Sequence, residues 1–87
     1  MLKEILKNRA VKQRNQLKKD IDDLREHEDR IKDQMAAKHV TIEALEKDSQ
    51  FAGVADIEKK SLQSLTLTLC HYVKVRTGLE LKLIKTY

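Results

Sequence analysis

Residues 17–45 read LKKDIDDLREHEDRIKDQMAAKHVTIEAL, and the spacing of apolar side chains in this stretch decides the fold. Stepping by four and three from Leu17 lands on Ile21, Leu24, Glu28, Ile31, Met35, Lys38, Ile42 and Leu45, and seven of these nine positions are apolar. Such a sustained repeat is what a coiled-coil helix turns toward a neighbour, with Ile21, Met35 and Ile42 at a and Leu17, Leu24, Ile31 and Leu45 at d. The intervening residues are mostly Lys, Glu, Gln, Arg and Ala, which are good helix formers. A helix over 1–48 would be roughly 70 Å long at the usual rise per residue. No compact domain of this size can wrap it, so it must lie against another chain or fold back on the rest of its own. Toward the N-terminus the same register gives Arg14, Ala10 and Lys7. The apolar residues there are instead Leu2, Ile5, Leu6 and Val11, so a register shift is expected near residue 10.

The 49–56 segment, Ser-Gln-Phe-Ala-Gly-Val-Ala-Asp, breaks the pattern and reads as a loop around Gly53, with Asp56 as the N-cap of a second helix. That helix is expected over 57–77, with Leu62, Leu65, Leu69, Tyr72 and Leu79 fitting a seam interrupted by Arg76. Leu65-Thr66-Leu67-Thr68-Leu69 also alternates as a strand would, but the length of the segment and its charged start favour helix. Gly78 stands where a left-handed residue would end that helix. Beyond it Leu79, Leu81 and Leu83 alternate with Glu80 and Lys82, the pattern of a β-strand. A lone strand has no partner here, so the 78–87 tail either joins a sheet elsewhere or begins a head domain. The expected class is all-α: a long coiled-coil helix, a break near Gly53, a second helix and a short C-terminal strand.

Composition agrees with a rod. Charged residues make up 37% of 87 residues, there is no proline, and the aromatics are one Phe and two Tyr, too few to fill a globular interior. Residues 1–20 hold seven basic side chains against Glu4 and Asp20, while 21–35 hold six acidic against three basic. Cys70 is the single cysteine, which excludes an internal disulfide and fits a reducing, intracellular compartment. No apolar run is long enough to span a membrane.

Candidate chemistry is sparse. Lys7, Arg9, Lys12 and Arg14 precede the heptads as a basic zipper's DNA-binding helix would, and they are candidate phosphate contacts. The face around Asn8 lacks the small residues and Arg that base reading needs, so a solvated helix face is the better account. His27, His39 and His71 share no i, i+3 or i+4 spacing, and no metal site is expected. Cys70 and His71 are adjacent on a helix, point about 100° apart and cannot act as a nucleophile–base pair. Neither an enzyme activity, a cofactor nor a small-molecule substrate is indicated.

The charged seam residues say more. Glu28 at a would face its own copy across a parallel homodimer, so a heteromeric coiled-coil partner offering Lys, Arg or Asn is expected; an antiparallel pairing would relax this. The expected partner interface is Leu17, Ile21, Leu24, Glu28, Ile31, Met35, Ile42, Leu45, Leu62, Leu65, Leu69 and Tyr72. A hairpin folded at Gly53, associating into a dimer or four-helix assembly, is the alternative, as is a basic helical nucleic-acid binder.

Residues 71–84, HYVKVRTGLELKLI, resemble one junction in particular. In coiled-coil subunits of the outer-kinetochore microtubule-attachment complex, the rod enters a small RWD-type head through a similar pattern, matched here by Tyr72, Arg76, Gly78, Leu79 and Glu80. The resemblance covers this stretch alone, and the head is absent. It implies a nuclear, kinetochore rod subunit in cell division that links two rod dimers.

Overall fold

The computed structural model describes residues 2–87 and contains two long helices: α1, Leu2–Glu46, and α2, Ala52–Lys85. They pack antiparallel along their lengths, giving a rod 73 × 14 × 13 Å. The chain therefore folds back on itself, and α2 covers the long seam of α1.

The reversal is tighter than the expected 49–56 loop. Only Lys47 and Asp48 separate α1 from a 3-10 turn at Ser49–Phe51, which runs straight into α2. Asp48 takes extended backbone angles and its carboxylate accepts from the Gln50 amide at 3.0 Å, so this residue caps the turn. Asp56 is not a cap; it lies inside α2, as does Gly53.

The expected C-terminal strand is not formed: helix continues through Gly78 to Lys85. No glycine among the described residues has positive φ, so Gly78 is an ordinary helical residue rather than a left-handed cap. The reason lies in the seam. Counting on from Tyr72, the heptad positions are Arg76, Leu79, Leu83 and Thr86, all turned toward α1 and partly buried, while Leu81 is 55% exposed. Alternation at 79, 81 and 83 is also what d, f and a positions of a heptad give. The other alternating run is helical for the same reason, since Leu62, Leu65 and Leu69 lie on the seam, and its threonines are accommodated by local bonds. Thr66 and Thr68 hydroxyls donate back to the carbonyls of Leu62 and Ser64 at 3.0 and 2.9 Å, and Thr77 does the same to Val73. This back-bonding lets threonine sit in a helix with its hydroxyl satisfied.

No register shift occurs near residue 10. A line of buried and half-buried positions on α1 runs 10, 14, 17, 21, 24, 28, 31, 35, 38, 42 and 45 in one register, with Asp20 half-buried beside it. The matching line on α2 is 55, 58, 62, 65, 69, 72, 76, 79, 83 and 86. Ile21, Ile31, Ile42 and Ala55 are the buried apolar residues, a thin single-file core.

Candidate assembly interface

The residues expected to meet a partner chain instead meet the other helix of the same chain. Leu17 through Leu45 on α1 and Leu62 through Tyr72 on α2 form one internal seam. Glu28 and Lys38 find their opposite charges there. Glu28 is only 3% exposed, and its carboxylate accepts from Arg76 Nε at 2.6 Å. Arg76 also donates to Glu80 at 2.8 Å, and Arg25 to the same Glu80 oxygen at 2.9 Å, making a four-member ladder of alternating charge. Lys38 donates to Glu58 at 2.7 Å, both at seam positions. The basic residue that Glu28 requires is thus Arg76 of its own chain, the residue that interrupts the second seam when that seam is read alone. Hydrogen bonds from Arg25 and then Arg76 hold the Glu80 carboxyl below the usual carboxylate range. The bond to Glu28 likewise strengthens the charged form of Arg76.

Outside the seam the rod has two unlike flanks. On one, the e positions of both helices meet. Lys59 donates to Glu46 at 2.6 Å, which raises the Lys59 pKa; Arg25 meets Glu80; and Lys18 approaches the Tyr87 ring, 6.0 Å from its centroid. On the other, the g and c positions meet. Gln34, Ala37 and Thr41 of α1 share a groove with Ser61 and Leu65 of α2, floored by the Lys38–Glu58 pair. His27 lies on this second flank and stacks on Tyr72, centroids 5.6 Å apart, with His71 edge-on to the same ring.

Arg14 closes the open end of the hairpin. Its Nε and a terminal nitrogen both donate to the Thr86 carbonyl, at 3.1 and 2.7 Å, and the guanidinium lies over the Tyr87 ring at 4.7 Å. Of the four candidate phosphate contacts, Arg14 is therefore engaged within the chain. Lys7, Arg9 and Lys12 are exposed on a helix that runs past the end of α2, and Lys7 and Arg9 point about 160° apart, so no single basic face forms. Leu2, Ile5 and Leu6, on the same projecting turns, are exposed too.

Among the described residues no group of His, Cys, Asp and Glu could hold a metal ion, and no helix is long and apolar enough to cross a membrane. Sequence reasoning misses the partnering of Arg76 with Glu28 because each looks like a flaw in its own seam; setting the two lines antiparallel places the flaws opposite each other. Compared with known proteins, the chain matches no family model, no curated protein and no solved structure.

Proposed function

We propose that this chain is a structural assembly module, a stiff helical hairpin whose work is to hold another polypeptide against its flanks. The observation that carries this reading is surface. The folded chain exposes 7037 Å², whereas a compact chain of the same 10.1 kDa would expose about 5,300 Å². The excess is on the order of 1,700 Å², about twice the roughly 800 Å² that one partner contributes to a standard protein–protein interface. It includes large aliphatic side chains such as Ile57, Leu67 and Val75 rather than charged groups alone.

Because the heptad seam is filled from within, the partner in this reading engages the flanks and not the seam. A heteromeric coiled-coil partner remains compatible with that, but its main warrant, an uncompensated Glu28, is met inside the chain by Arg76. Helix runs unbroken across Gly78, and the assembly role does not depend on the kinetochore resemblance. The test is sedimentation velocity of the purified chain, alone and after co-purification from its native source. A single-copy species in both preparations would refute the assembly role; a defined complex in either supports it.

A further inference from the structure

On α2 the second flank carries no charge at its g and c positions over an unusual length. These positions between 54 and 75 are Val54, Ile57, Ser61, Ser64, Thr68 and Val75, with His71 between the last two; none of them holds Lys, Arg, Asp or Glu. Adjoining it on α1, Gln34, Ala37, Thr41 and Ala44 are uncharged, and Asp20, Asp23 and Arg30 hold the corresponding positions nearer the open end of the hairpin. Leu67, beside the middle of the line, is 72% exposed, and Ile57 is 65% exposed. The opposite flank holds the Arg25–Glu80 and Glu46–Lys59 pairs, so the two flanks of α2 differ in charge. A helix face with repeating 3-4 spacing, aliphatic at both ends and small in the middle, is a second seam left open.

Resting on the assembly reading, we propose that the occupant of this seam is a second copy of the same chain, docked antiparallel to give a four-helix bundle. Three features of the molecule point to a copy. First, the centre and the aliphatic positions of the line are palindromic about residue 66: when α2 meets its own copy in reverse, Ile57 falls opposite Val75 and Ser64 opposite Thr68, with Ser61 opposite His71. A two-fold interface needs this self-complementarity. Second, Ser61, Ser64 and Thr68 at the centre let two helix backbones come close, while no like charges on the line oppose each other. Third, the internal Glu28–Arg76 pair removes the repulsion that a self-association through the first seam would have created. The surface excess, on the order of 1,700 Å² per chain, exceeds the roughly 800 Å² that each copy would give to one such interface. Four helices around one core also match the packing that single-file hairpins lack.

The test is multi-angle light scattering of the full chain across micromolar concentrations, with three single substitutions. The wild type is expected at twice the 10.1 kDa of one chain. Thr68→Glu sets two carboxylates beside the two-fold axis and is expected to leave only the single-chain mass. Thr68→Lys is expected to do the same, and mixing the two variants should restore the double mass, which a merely misfolded variant could not do. Thr66→Glu lies on the other flank and should leave the dimer intact. A wild type of single-chain mass overturns the inference, as does a Thr68→Glu chain that still dimerises or a Thr66→Glu chain that does not. A single-chain wild type that nevertheless co-purifies with a different protein overturns self-association alone and leaves the assembly role standing.

Discussion

Replacing Gly78 with alanine should make the protein more stable. Gly78 lies in the interior of α2, two turns before its end at Lys85, with ordinary helical backbone angles. A Cβ built there meets nothing within 4 Å. The substitution therefore carries no steric cost, and it removes the excess backbone freedom that glycine gives up on folding. The gain from glycine to alanine in a helix interior is about 0.8–1.0 kcal/mol. For a chain of this size that corresponds to a rise in melting temperature of roughly 4–8 °C. Gly53 also meets open space, but it lies in the first turn of α2, where the gain is smaller. The assay is thermal and urea unfolding followed by far-ultraviolet circular dichroism, with both proteins at one concentration so that any self-association contributes equally. Unchanged or lowered stability in the Gly78→Ala protein would refute the continuous helix. A left-handed glycine ending a helix at 78 would make alanine destabilising by a similar amount.

Ile31→Ala should cost about 2 kcal/mol, the loss of three buried methylene-sized groups at about 0.8 kcal/mol each. It falls at the low end for core truncations because a two-helix seam can collapse or admit water rather than hold a cavity. Val40→Ala, on an exposed face, should stay within about 0.5 kcal/mol in the same denaturation experiment, and equal losses at the two sites would contradict the hairpin seam. Glu28→Arg should lower the melting temperature sharply by setting two guanidinium groups together, and the swapped pair Glu28→Arg with Arg76→Glu should recover most of the loss; no recovery would mean that the two residues do not meet. Glu80 has its carboxyl lowered in the folded state, so its contribution is present above the ordinary glutamate range and is lost as pH falls through the depressed folded value. Acid titration of the melting temperature should show that loss, and Glu80→Gln should flatten the same part of the curve.

The first seam is legible because its apolar residues repeat at a and d and few strong breakers intrude. Its continuation is not. Arg14 and Ala10 look wrong for a core, yet Arg14 lays its stem along the seam while its guanidinium reaches the Thr86 carbonyl and the Tyr87 ring. A long cationic side chain at the end of a rod can serve as seam and cap together, which hydropathy alone does not reveal. The tail misleads for a related reason. Leu79, Leu81 and Leu83 satisfy a period of two and also d, f and a of a heptad, and a local window cannot choose between them. The choice comes from α1, whose uninterrupted line of half-buried positions continues past the C-terminal end of α2. The charged seam positions do need opposite charges, as expected, but a linear reading seeks those charges on another molecule. Antiparallel pairing brings together residues 48 apart in sequence, as Glu28 and Arg76 show.

The Arg14–Thr86 clasp and the turn at Asp48 lie at opposite ends of the rod, so a polypeptide joined to either terminus enters at the same end. Tension applied through those two attachment points would act across the helix pair rather than along it. The contacts would then open one layer at a time from the clasp inward, like a zip, instead of sharing the load as in a lap joint. Such a hairpin yields at low force when pulled by its ends, yet resists compression along its length. It is therefore suited to serve as a lateral spacer and poorly suited to serve as a tether in line with a load.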